Sequence, residues 1–201
     1  MLRTVGVLIG MVVALAACSS GSESSGSGAP AAAAAQWSTL FDGKSLDGWT
    51  KVGDANWQLT DNAVMADGGT GFLLTAMPYA DFDLELEFFV SPDANSGVFL
   101  RCANPAEIGA ATCYEVNIFD QRPDPTYRTG GIVEVAKPSV LLETGDKWNN
   151  YEIAAHGKHL VVKLNRQTTV DVVDDKFAAG PIALQYGAGR VMFRNVRIRA
   201  N

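Results

Sequence analysis

The chain has 201 residues, of which 47% are hydrophobic and 19% charged, with a net charge of −6. That length suits one domain with a sizeable core and is short for two. No cluster of Lys and Arg interrupts the acidic balance, which argues against a nucleic-acid surface because phosphate contacts need grouped cations.

Residues 1–17, MLRTVGVLIGMVVALAA, place Arg3 ahead of an apolar run. This is the layout of a secretory signal peptide, and the run is too short and poorly flanked for a spanning helix. It ends in Leu15-Ala16-Ala17-Cys18, which resembles the lipobox of bacterial lipoproteins. The resemblance implies cleavage before Cys18 and a diacylglycerol on its sulfur, so the expected membrane contact is a lipid at Cys18. Ser19 stands where an inner-membrane retention signal would carry aspartate. The expected location is the cell envelope, and the outer membrane in a bacterium that has two. Residues 18–36 have little to bury and read as a flexible tether, leaving 37–201 as the folded domain.

Within that domain, apolar and polar residues alternate with period two between turn residues, which predicts an all-β fold, a sandwich or barrel. In Asp81–Val90, residues Phe82, Leu84, Leu86 and Phe88 share one face and Asp83, Glu85 and Glu87 the other. Ser96–Arg101 and Tyr114–Phe119 follow as strands, the second with Tyr114, Val116 and Ile118 on one face and Glu115, Asn117 and Phe119 on the other. Between them, Cys102 and Cys113 form an even pair in a chain read as exported, so a disulfide is the default, worth about 3 kcal/mol in the chain-entropy model. Thr129–Val135, Tyr151–His156, Leu160–Asn165, Ile182–Tyr186 and Arg190–Arg199 continue the series. The last changes parity between Phe193 and Val196, which a bulge near Arg194-Asn195 would reconcile. His156 and His159 flank a hairpin turn and read as rim residues rather than catalytic ones.

Six ordered segments go further: LFDGKSLDGW from Leu40 to Trp49, SGVFLR from Ser96, YEVNIFD from Tyr114, Lys147-Trp148-Asn149, GPIALQ from Gly180 and FRNVRI from Phe193. Together they resemble the 3-keto-disaccharide hydrolase domain family over about Leu40 to Ile198. The resemblance implies a two-sheet antiparallel jelly roll of the concanavalin A type, whose concave face receives sugar. It also implies cleavage of glycosides already oxidised to a ketone at carbon 3. Two departures stand out: family members follow Leu-Gln and one residue with His-Gly, where this chain has Gly187-Ala188, and Asn165-Arg166 replaces an Asn-Gly turn.

A ketone at carbon 3 acidifies the proton on carbon 2, so such a site needs one base, donors for the enolate oxygen and help for the leaving group. Glu115 is the candidate base; the alternatives are a solvated carboxylate or a structural partner of Arg101. Arg101 is the second catalytic candidate, able to polarise the ketone, with an ion pair as its alternative. Asn117 and Gln185 could hold sugar hydroxyls or bond across strands, and Gly97 would admit a ring close to the backbone. Asp120 could bind substrate, a cation or its own turn. Phe99, Phe119, Tyr127 and Tyr186 are candidate stacking surfaces, with the core as their alternative. Asp42 and Asp47 read as turn residues rather than calcium ligands. The scheme requires no cofactor, though a divalent cation could replace the donors. The expected partners are a carbohydrate ligand and an oxidoreductase that makes the ketone. The competing readings are a carbohydrate-binding lipoprotein without turnover and a structural envelope protein.

Overall fold

The structure, a computed structural model, describes residues 36–200 and positions 1, 2, 4, 6 and 10. Cys18 and residues 11–35 lie outside the described residues, and so do most of the expected leader and tether. The chain divides into two units, Met1–Ala33 and Ala34–Asn201, and every described strand belongs to the second.

Thirteen strands among the described residues form two antiparallel sheets. In chain order they are β1 (Ser38–Phe41), β2 (Trp49–Gly53), β3 (Gln58–Thr60), β4 (Ala63–Ala66), β5 (Gly71–Thr75), β6 (Phe82–Val90), β7 (Ser96–Leu100) and β8 (Tyr114–Ile118), then β9 (Trp148–His156), β10 (His159–Leu164), β11 (Gln167–Val173), β12 (Ala183–Tyr186) and β13 (Val191–Ala200). The larger sheet runs β11-β10-β9-β6-β13-β4-β3, with β1 also on β13, and the smaller runs β2-β5-β12-β7-β8. Among the described residues the helical content is a single 3-10 turn, Pro125–Tyr127. The sandwich expected from the alternation is therefore present, as the two-sheet jelly roll that the family resemblance implies.

Period two explains how the layers meet. Along β6, Phe82, Leu84, Leu86, Phe88 and Val90 are buried while the acidic residues between them reach outward. Val98, Val116, Leu184 and Tyr186 of the smaller sheet join Leu84, Phe88, Tyr151 and Phe193 of the larger one in one continuous core. Burying each such side chain stabilises by roughly 1.5–3 kcal/mol. In β13 the register to β6 shifts between Arg194 and Arg197, with Asn195 at φ +52°, which is the bulge that the parity change called for.

One predicted strand is absent. Thr129–Val135 is a looped segment that meets β8 through isolated backbone bonds, from Asn117 N–H to Gly131 O, Gly130 N–H to Asn117 O, and Val133 N–H to Glu115 O. Gly130 at φ +89° and Glu134 at φ +61° break the extended run, so alternating side chains do not become a ladder there. The segment still covers the open edge of β8 and satisfies its backbone groups.

Candidate functional site on the smaller sheet

The outer face of the smaller sheet differs from an ordinary solvated one. Leu74, Phe99 and Ala183 are buried there in a second apolar cluster with Cys102 and Cys113, against which Val52, Phe72 and Ile108 pack. The disulfide Cys102–Cys113 has formed as expected, and Ile108 belongs to the loop that it closes. That loop covers one end of the face. The segment from Asp120 to Ala136 borders it along β8.

Glu115 and Asn117 share this face, since Tyr114, Val116 and Ile118 alternate with them into the core. Asn117 pairs with Gly97 and Glu115 with Phe99 across β7 and β8. Gln185 continues the pairing of Ala183 with Phe99 and Leu184 with Val98 on the other side of β7. Three chemically useful residues thus converge around one glycine. A Cβ on Gly97 would come within 3.2 Å of the Phe99 ring and 3.5 Å of Gln185 Oε1, so glycine keeps the floor low.

The amide groups are oriented by what they already bond. Asn117 is fully buried, and its Nδ2 donates to Tyr127 O, which turns Oδ1 away without a donor. Gln185 Oε1 is likewise buried and without a partner. Two unmet acceptors on one face are a standing cost of about 1–3 kcal/mol each, and a ligand's hydroxyl protons would remove it. Backbone bonds to the bordering segment and a short bond from the buried Tyr151 hydroxyl to Asn117 O (2.6 Å) hold β8 in place.

Glu115 is half-buried, and its carboxyl has no hydrogen-bond partner among the described residues. Burial pushes its carboxyl up to about 7; the positive charge of Arg122 works against that rise and the negative charge of Glu134 adds to it. A carboxylate in this state is a usable base near neutral pH.

Other expected site residues lie elsewhere. Arg101 leaves the catalytic set. At φ +50° it departs from the strand, and its buried guanidinium (1% exposed) donates to Ala80 O (2.7 Å), Gly157 O (2.8 Å), Phe177 O (3.3 Å) and Asp81 Oδ1 (3.2 Å). Asp120 is a structural knot: its carboxylate accepts from Thr129 Oγ1 (2.5 Å), Thr144 N–H (2.6 Å), Thr144 Oγ1 (2.9 Å) and Gly145 N–H (3.2 Å). Phe99 is 1% exposed and edge-on to Phe72 at 5.3 Å, so it offers no free face to a sugar. Tyr186 belongs to the core, whereas Tyr127 stays half-buried beside Asn117. Gly187 stands where the family pattern has histidine, and a Cβ there would fall 2.9 Å from Asn95 O. The backbone is closed over that position.

Two neighbours of these residues carried no signal in the sequence: Arg122, whose charge acts on Glu115, and Phe72, which packs against Phe99. Arg122 lies in an irregular segment with no periodicity to assign it a face, and Phe72 sits on β5, a short strand bounded by glycine.

Two open grooves, of about 460 and 520 Å³, lie on the outer face of the larger sheet, sharing Glu87 and Asn150. The acidic residues of β6 on this face are held by arginines of β13: Arg194 holds Glu87 at 2.6 Å, Arg197 holds Glu85 at 2.5 Å and Arg199 holds Asp83 at 2.7 Å. The unmet acceptors are on the smaller sheet, and we place the site there. Among the described residues no three His, Cys, Asp or Glu side chains converge as metal ligands.

Similarity to known proteins agrees with this architecture. A protein of Parabacteroides distasonis provisionally assigned to the glycosyl hydrolases superposes with a TM-score of 0.74 at 18% identity, covering 82% of this chain and 94% of that one. The carbohydrate-binding module CBM66 of Bacillus subtilis superposes at 0.62 and 18% identity, covering 76% and 96%. Both likenesses concern the fold. In sequence, the chain is 34% identical over 74 residues to a 3-keto-disaccharide hydrolase of Bacteroides thetaiotaomicron, which is 30% of this chain and 26% of that relative. The match spans about a quarter of the relative's length. Residues 36–199 match the 3-keto-alpha-glucoside-1,2-lyase-like domain, and the chain belongs to that family.

Proposed function

We propose that the protein cleaves 3-keto-glucosides by elimination across carbons 1 and 2, with Glu115 as the base. The observation that supports this reading best is a carboxyl poised at about 7 on the same sheet face as two unpaired buried amide oxygens. Glu115 removes the proton on carbon 2, and the electron pair forms the carbon 2–carbon 3 double bond of an enolate. Its collapse restores the ketone, forms the carbon 1–carbon 2 double bond and breaks the glycosidic bond, whose oxygen takes up a proton. Water then adds hydroxyl to carbon 1 and hydrogen to carbon 2. No net oxidation occurs, so the ketone must come from an earlier oxidoreductase. Asn117 Oδ1 and Gln185 Oε1 can only accept, and they would grip sugar hydroxyls rather than the enolate oxygen.

Glu115→Gln keeps the shape and removes the base. We expect turnover of a 3-keto-glucoside to fall by about 10² to 10⁴ with sugar binding retained. Unchanged turnover would reject the base. Gly187 in place of histidine favours a second reading, a carbohydrate-binding protein without turnover; binding without cleavage by the parent would establish it. We further propose that a lipid on Cys18 holds the protein at the cell envelope. Labelled palmitate that is incorporated equally by a Cys18→Ser variant would contradict this.

A further inference from the structure

We propose that Arg122 is a catalytic residue, its guanidinium receiving the carbon 3 oxygen of the bound keto-sugar and holding the negative charge that develops there. The proposal rests on the elimination reading above. That chemistry needs a donor at the enolate oxygen, and a developing full negative charge is met best by a cation. The donors already placed at the site are neutral or engaged: Asn117 Nδ2 is bonded to Tyr127 O, Gln185 Nε2 belongs to an uncharged amide, Arg101 is committed elsewhere, and the histidine position is Gly187, with its Cβ space taken by Asn95.

Arg122 has the right position and the right vacancy. Its backbone is fixed from two directions, N–H donating to Phe119 O (3.3 Å) and O accepting from Arg128 Nε (3.0 Å). Its guanidinium carbon lies 5.9 Å from the centre of the Tyr127 ring, and Tyr127 O accepts from the Asn117 amide. Tyr127 thus connects the two, bonding Asn117 through its backbone and facing the Arg122 guanidinium with its ring. Among the described residues the guanidinium donates no hydrogen bond and closes no ion pair, unlike Arg101, Arg194, Arg197 and Arg199. Its positive charge opposes the rise at Glu115 and also favours the ionised form of Asp124.

An arginine keeps its proton at any pH of interest and presents a planar fork of donors, so it can stabilise an oxyanion without itself transferring a proton. When Glu115 takes the carbon 2 proton, the electron pair enters the carbon 2–carbon 3 bond and the carbon 3 oxygen becomes negative beside Arg122. When the pair returns, the carbonyl re-forms, the bond from carbon 1 to the leaving oxygen breaks, and that oxygen receives the proton from Glu115 or water.

The test compares the full-length parent with Arg122→Ala and Arg122→Lys on a 3-keto-glucoside. In Arg122→Ala we expect kcat to fall by about 10² to 10³, with a much smaller change in KM. Added guanidinium should restore part of the rate, and Arg122→Lys should retain more activity than Arg122→Ala. The acid limb of kcat/KM should also move to higher pH, because the cation that opposes the rise at Glu115 is gone. If the parent does not cleave the ketone, the elimination reading falls and takes this proposal with it. If the parent cleaves while Arg122→Ala keeps kcat within about threefold, Arg122 alone is rejected. A slow variant with neither guanidinium rescue nor a shifted pH limb rejects it equally, since a purely structural role would look like that.

Discussion

Glu115, the proposed base, illustrates how a buried carboxyl works against the fold that holds it. Its carboxyl titrates at about 7 in the folded chain, against an ordinary value of 4.5. Between those values the unfolded chain releases the proton first, so the folded state loses stability as pH rises through the window, and the loss is complete above about 7. Glu115→Gln has no such loss. The variant should be more stable than the parent by up to about 3 kcal/mol at pH 8, and the difference should vanish near pH 4. Denaturant unfolding at the two pH values measures it; a difference independent of pH would contradict the raised carboxyl. Glu115, Asn117 and Gln185 were legible because each lies mid-strand, where parity fixes the face. Arg101 was not, because φ +50° ends the strand at Leu100 and redirects the side chain. Phe99 has the expected parity, but the disulfide loop covers it, and alternation carries no record of what packs on top.

Among the elements, long regular strands were readable and short ones were not. β6 and β9 each alternate over nine residues, and that pattern suffices to place them. β1 to β5 are three to five residues long, too short for a period to emerge from a segment rich in glycine and aspartate. The bulge in β13 could be inferred because the core demands one apolar face from a strand whose pattern changes side. Segment 129–135 shows the converse: Ile132, Val133 and Val135 suggest a strand, while the left-handed residues Gly130 and Glu134 prevent one. The β10–β11 turn keeps its two-residue form with Asn165 and Arg166 both at positive φ, so the replacement of glycine there leaves the hairpin geometry intact.

At the scale of the whole molecule, two polar faces are built on opposite principles. The outer face of the larger sheet closes its charges in pairs, Arg194 with Glu87 and Arg197 with Glu85, and such a face is stable against water without a ligand. On the smaller sheet, the Glu115 carboxyl, Asn117 Oδ1 and Gln185 Oε1 are left without partners among the described residues. That asymmetry is the reason we propose the chemistry on the smaller sheet, and it follows from fold and sequence together: the sandwich supplies two outer faces, and the proposal rests on residues 115, 117, 122 and 185 of one of them. The most direct test is turnover of a 3-keto-glucoside by the parent protein in deuterium oxide, with the released keto-sugar read by NMR at early times against an enzyme-free control. Elimination followed by hydration predicts one deuteron at carbon 2 for each bond cleaved, and cleavage that leaves the original hydrogen at carbon 2 would contradict it.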